Sequence, residues 1–440
     1  LADFHETVFL GGGLSCLAAA AGFRGDGLVL EAEARPGGLC RSERLEGFTF
    51  DRTGHLLHLR HPRTRGLVEE LLGANRVERT RDTWVHSHGV TTRYPFQSNF
   101  HGLPTEVAVE CLLGVIEAHV RAARRGRHGG ARPPEPTRFD RWVLERFGPG
   151  VARHFMFPYN RKLWTVPPGR LTTEWLGRFV PRPELGEVIR GALSDRPSEA
   201  GYNARFLYPR RGGIEALVRA LARRVPRLHC GARVVDIDLR ARRLRLADGT
   251  QLGFGRLVSA VPLPALVRMC HPLPDGVRAA GRALRWSSVY NLNLGVRERG
   301  ERRHWVYVPE ERFALYRFGY ASNFSPAVAP EGWAAVYTEV AFDPRRPPAL
   351  GDLRARVLRD LVALGVIRSL RDVRVECPLV LEHAYAIYDR ARSAAVARAL
   401  GHFRRREIVP IGRYGRWEYS SMEDALIQGL EAADLLNNTK

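Results

Sequence analysis

The stretch VFLGGGLSCLAAAA, residues 8–21, constrains the fold of this 440-residue chain more than any other. Val8, Phe9 and Leu10 read as a short buried strand, and the alanine run after Leu17 reads as the start of a helix. Between them stand Gly11 and Gly13, with Cys16 where a dinucleotide fingerprint places its third glycine. In that fingerprint the first glycine makes the tight turn and the second lets backbone approach a pyrophosphate. The third lets the helix pack closely on the strand. Cysteine at the third place therefore bears on packing rather than on anion binding, which the helix N-terminus still offers. Taken alone, the loop also fits a glycine-rich turn that binds nothing.

The following residues favour a cofactor. GLVLEAEARPGGLCRS gives a second apolar strand, Leu28–Leu30, ending in Glu31, 20 positions after Gly11. That is the spacing of a carboxylate that hydrogen-bonds a ribose. Arg35, Gly37, Gly38 and Arg41 then form a basic glycine turn suited to a second stretch of the same ligand. The whole unit resembles the FAD-binding start of the amine-oxidase and protoporphyrinogen-oxidase class of flavoproteins.

The remainder is read by pattern. A length of 440 residues predicts two or three domains. Helical periodicity runs from about 104 to 200, in EVAVECLLGVIEAHVRAA and TRFDRWVLERFG. FLYPRRGGIEALVRALARRV gives a glycine turn into an amphipathic helix, followed by strands around an Asp-Gly hairpin that end near Val261. From Val289 to about Ala386, alternating aromatic and β-branched residues predict a mostly antiparallel sheet. IVPIGRYGRWEYSSMEDALIQGLEAADLL closes the chain as a short strand, a glycine-bearing turn and a helix. There is no internal repeat.

Composition narrows the partners. The formal charge is +21, carried almost wholly by arginine, because lysine occurs only at 162 and 440. The arginines are scattered, as a GC-rich coding bias would leave them, and form no nucleic-acid-binding stripe or module. Their one dense run, Arg121–Arg138, is rich in glycine and proline and reads as a loop between helices. The six cysteines lie at least 24 positions apart, which excludes CxxC redox or zinc patterns. No metal site is expected, and the setting is read as reducing cytoplasm. No apolar run of 18 residues appears, and no signal-type segment opens the chain, so neither membrane nor export is expected.

Separated landmarks narrow the resemblance to the UDP-galactopyranose mutases, in particular their eukaryotic type. RYPFQSNF (93–100), FMFPYNRKLW (155–164), EWLGRFVPRP, HWVYVPEERFALYRFGYASNFSP (304–326) and GRYGRWEYSSMEDALIQGLEAAD occur in the family's order. DRTGHLLH places His55 where those enzymes carry a histidine beside the isoalloxazine. The resemblance implies an α/β architecture: a Rossmann-like FAD-binding domain (1–75, 205–275, 400–440), an inserted helical domain (100–200), and a substrate domain built on a mostly antiparallel sheet (76–99, 276–399).

It also implies residue roles. FAD would be held by Gly11, Gly13, Leu14, Ser15, Glu31, Ala32, Gly38, Leu39, Val235, Arg413 and Met422. His55, Tyr307, Arg317 and Tyr419 would serve catalysis, with Arg317 and Tyr419 on a substrate diphosphate. Tyr94, Gln97, Phe157, Asn160, Trp305 and Phe324 would contact substrate, Tyr94 and Gln97 through the base. The implied activity is mutase-type pyranose/furanose isomerisation of a sugar or nucleotide sugar through N5 of reduced flavin. It calls for an external reductant, with NADPH a candidate, and is compatible with a homo-oligomer.

Three positions depart from the mutases. Phe157 replaces a second diphosphate arginine, Phe324 replaces a tyrosine, and Thr53 replaces a glycine before the histidine. They point to a substrate other than UDP-galactopyranose itself. They also keep open an FAD-dependent oxidoreductase acting on a sugar alcohol or amine. A basic nucleic-acid-binding protein is the weakest alternative.

Overall fold

The computed structural model describes residues 3–127, 137–195 and 204–438. Strand β1 (Phe4–Leu10), helix α1 (Leu14–Gly22) and strand β2 (Gly27–Glu31) form the expected strand–helix–strand entry into a parallel sheet, with Val8 opposite Leu28 and Leu10 opposite Leu30. Both strands are apolar because both faces of the sheet are covered, as parallel sheets require. The sheet has eight strands. Strand Gln251–Ser259 runs parallel to β1 and pairs at its start with Arg243–Leu246 and at its end with Ile408–Pro410. The Asp248-Gly249 hairpin and the short C-terminal strand thus stand where the sequence placed them.

The second sheet has seven strands in the order Val373–Ala386, Trp286–Arg297, Trp333–Phe342, Arg317–Tyr320, Trp305–Tyr307, Thr83–Ser87, Val90–Arg93. Its pairs are antiparallel except for Trp305–Tyr307 against Thr83–Ser87. The mostly antiparallel expectation holds. Strand Arg76–Thr80, grouped by sequence with this sheet, instead pairs with Arg205–Pro209 in a separate two-stranded ribbon.

The helical layer contains Thr105–Arg127, Phe139–Val151, Phe157–Trp164 and Leu185–Leu193 around a core rich in Trp142, Trp164 and Trp175. A π-helical turn, Ala152–Met156, leads directly into Phe157–Trp164. The basic run expected as a loop begins as helix through Arg127; positions 128–136 lie outside the described residues. No described helix is long and apolar enough to cross a membrane. Among the described residues no His, Cys, Asp and Glu cluster could hold a metal ion.

Candidate active site

A cavity of about 690 Å³ runs from the β1–α1 loop to the second sheet and is lined by residues from Leu10 to Ala425. Its size suits a ligand of cofactor dimensions.

At one end the loop is held open by its own backbone. Gly11 adopts φ +100° and donates its N–H to Leu30 O at 2.8 Å, a turn that a side chain would strain. Gly13 caps α1 without a side chain, and a Cβ built there meets nothing within 4 Å. The first turn of α1 carries no acidic residue. Its free N–H groups are therefore left to an anion in the cavity. Glu31 lines the same end but is already engaged: Gly12 N donates to its Oε2 at 2.5 Å and Glu33 N to its Oε1 at 2.8 Å. The carboxylate thus shapes the loop as well as facing the ligand space, a use the spacing alone did not reveal.

Cys16 fills the place of the third glycine as packing. It is fully buried, its Sγ donates weakly to Leu10 O at 3.4 Å, and burial pushes its thiol up to about 12. The substitution is a spacer between α1 and β1.

His55 lines the cavity two residues after Thr53, which takes φ +73°. Burial, reinforced by the charges of Arg413 and Arg317 and opposed by hydrogen bonding to the Arg52 and Thr53 backbone, lowers His55 to about 4. Arg413 is fixed by carbonyls rather than carboxylates: Nη2 donates to Ala384 O at 2.8 Å and Nη1 to Ser420 O at 2.8 Å. Its cation lies over the rings of Tyr385 and Tyr419, 5.1 and 5.2 Å from their centroids. With no carboxylate at bonding distance among the described residues, Arg413 lends the cavity positive potential.

The far end is aromatic. Tyr307 packs against Tyr94 at 4.9 Å and Tyr159 at 5.3 Å. Tyr419 meets Phe179 edge-on at 4.5 Å. Trp305 lines the wall with its Nε1 buried and unpartnered among the described residues. Arg317 reaches this end from the Arg317–Tyr320 strand, yet Nε and Nη2 are engaged by Glu339, which is wholly buried. Burial disfavours the guanidinium, but Glu339 and neighbouring tyrosines more than restore its charge. Nη1 makes no hydrogen bond to the described residues, so one donor edge remains for a ligand.

The cavity thus gathers Gly11, Gly13, Leu14, Ser15, Glu31, Ala32, Gly38, Leu39, His55, Tyr94, Trp305, Tyr307, Arg317, Arg413, Tyr419 and Met422. Five candidates stand off its lining. Gln97 is buried behind it, donating to Pro181 O at 2.9 Å. Asn160 donates to Met156 O in the preceding π-helical turn at 2.7 Å and accepts from Trp164 Nε1 of its own helix at 3.1 Å. Phe157 packs against the helical core, and Phe324 is buried against Phe206, Tyr208 and Tyr337. Val235 lies beyond Ala232, Arg233 and Val234, which do face the cavity. The sequence reading missed Phe179, Tyr316, Tyr337, Tyr385 and His383 on the wall. Their positions in aromatic strands and turns gave no signal beyond ordinary core.

The family model described as flavin containing amine oxidoreductase matches residues 16–437. Among solved structures, the chain is similar to reduced UDP-galactopyranose mutase, with 27% identity, TM-score 0.90, and coverage of 99% of this chain and 96% of that one. Wild-type putrescine oxidase bound to putrescine shares the fold at 17% identity and TM-score 0.63, covering 98% and 99% of the two chains. An oxidoreductase from Methanosarcina mazei does so at 14% and 0.64, covering 98% and 100%.

Proposed function

This chain belongs to the flavin containing amine oxidoreductase family, and we propose that it isomerises a nucleotide sugar as a UDP-galactopyranose mutase does. The observation that carries this reading is the joining, in one cavity, of the α1 anion cradle to an aromatic chamber holding Arg317, Tyr307, Trp305 and Tyr419. The likeness to the mutase structure along 99% of the chain supports it.

FAD is the cofactor, and the open space at Gly13 beside the uncapped α1 N-terminus fits its pyrophosphate. Glu31 and Ala32 would flank the ribose, and Gly38, Leu39 and Met422 would line its path toward Arg413. Bound and reduced, FAD supplies a nucleophile for the anomeric carbon with no net oxidation. The protein's part is to bind and orient. Arg317 offers Nη1 to the leaving phosphate, and the Tyr419 ring stands close by. Trp305 and Tyr307 present flat faces to the sugar, and Tyr94 extends that wall toward the base. Held neutral by burial, His55 would stand beside the flavin as an uncharged hydrogen-bonding group. An external reductant and a cytoplasmic setting belong to the same proposal, as does the division into FAD-binding, helical and sheet domains.

Glu339 makes Arg317 a neutral pair. A substrate less charged than UDP-galactopyranose suits that pair, a modified nucleotide sugar or a less charged glycoside. The same neutrality favours, as a second reading, oxidation of an uncharged sugar alcohol or an amine. Incubating reduced and oxidised enzyme anaerobically with nucleotide hexoses, and following ring size by NMR and the flavin by absorbance, separates them. Isomerisation with the flavin still reduced supports the mutase; substrate-driven bleaching of oxidised flavin without isomerisation overturns it.

A further inference from the structure

All but two of the 68 basic residues are arginine, and Lys162 is the one lysine inside the chain. It projects from helix Phe157–Trp164 onto the turn joining Trp305–Tyr307 to Arg317–Tyr320. There Nζ donates to three backbone carbonyls: Val308 at 2.8 Å, Glu310 at 3.0 Å and Leu315 at 2.5 Å. The same turn is also held by Asp360 of helix Leu350–Ala363, which accepts from Ala314 N at 2.6 Å and Leu315 N at 3.4 Å. One turn is thus gripped by a cation on its carbonyls and an anion on its amides.

The geometry explains why arginine does not stand here. An ammonium is a compact point with three donors that can turn toward three converging acceptors. A guanidinium is a planar fork and cannot serve all three from one position. Tyr307 and Arg317 are cross-strand partners at the mouth of this turn.

We propose that Lys162 is a positioning residue that pins the 308–315 turn to the helical layer and so sets where Tyr307 and Arg317 stand in the cavity. A neutral amine has two donors, so loss of the proton releases one carbonyl and slackens the turn. Burial lowers this ammonium to about 7, with Asp360, Glu310 and Glu311 opposing the loss of charge and Arg356 assisting it. Glu311 itself is paired with Arg161 at 2.5 Å, and Glu310 with Arg312 at 3.3 Å.

The clamp is tested without any substrate, by hydrogen exchange of the flavin-loaded enzyme between pH 6 and 9, corrected for intrinsic rates. In wild type, protection of the 305–320 peptide should fall about tenfold across this range, while the 8–20 peptide is unchanged. Lys162→Met should exchange fast at every pH. Lys162→Arg keeps its charge, so its profile should be flat. A folded Lys162→Met with wild-type protection overturns the proposal. Should that variant fail to fold, Lys162→Arg decides: a retained break near pH 7 overturns it, and a flat profile supports it. The effect on the active site rests on the proposed function and is read separately as UDP affinity, expected to weaken with pH in wild type only. Exchange that behaves as described with neither UDP nor any nucleotide hexose bound at any pH leaves the clamp standing and removes the nucleotide-sugar reading.

Discussion

Arg317 and Glu339 face each other across adjacent antiparallel strands, with Nη2 2.6 Å from Oε1 and 2.8 Å from Oε2. The carboxylate is buried and the guanidinium edges into the cavity, so the pair offers a ligand hydrogen bonds but little net charge. Glu339→Gln removes the compensating charge while retaining an acceptor. It should tighten UDP binding about tenfold, equivalent to ~1.4 kcal/mol, and cost about 1–3 kcal/mol of stability. Arg317→Lys should weaken UDP about tenfold at unchanged flavin content, because a point charge cannot serve both Glu339 and a phosphate. Titration of flavin fluorescence with UDP checks both; equal affinities in the three proteins would remove Arg317 from the binding site.

Gly13 separates cofactor binding from folding. A Cβ there touches no protein atom and its φ of −81° suits any residue, so Gly13→Val should keep the flavin-free stability within about 0.5 kcal/mol of wild type. The added side chain fills the cradle, and the purified variant should be colourless. Absorbance near the flavin bands, with a parallel thermal melt, makes the comparison. A yellow Gly13→Val would place the pyrophosphate elsewhere.

Cys16 should behave as a spacer. With its thiol raised to about 12, its thiolate fraction at pH 8 is roughly one in ten thousand. Iodoacetamide should label it only in unfolded protein, as read by peptide mass spectrometry. Cys16→Gly restores the glycine of the fingerprint yet should lower stability by about 1–2 kcal/mol, from helix propensity and lost packing. Flavin content should not change.

His55 predicts acid lability of the flavin-free protein. Its folded value of about 4 lies below the unfolded value near 6.5, so between these limits the unfolded chain binds more protons. Stability is therefore complete above about pH 6.5 and falls as pH drops toward 4, by on the order of 2–3 kcal/mol from this group. His58, also lowered to about 4 by burial, adds to the slope. Denaturant melts at pH 7 and pH 5 should show a smaller difference in His55→Gln than in wild type. An equal difference would show that the imidazole is solvated.

The β1–α1–β2 unit, the Asp248-Gly249 hairpin and the C-terminal helix were legible from the sequence because each is encoded locally. Glycines that permit a turn, apolar runs of strand length and helical spacing act over a few residues, whatever the rest of the chain does. The same holds for the cofactor cradle, which is backbone geometry at Gly11 and Gly13. What the tertiary structure decided is which side chains share a space. Arg317 meets Glu339 because an antiparallel register sets them opposite, and a slip of one residue would turn either away. Phe157, Asn160 and Phe324 stand off the cavity because helix rotation and core packing direct them there, whereas Tyr337 and Tyr385 arrive on its wall from distant strands. Lys162 was visible in the sequence only as an oddity of composition. Its three carbonyl partners, some 150 residues along the chain, exist only once the helical layer closes on the sheet.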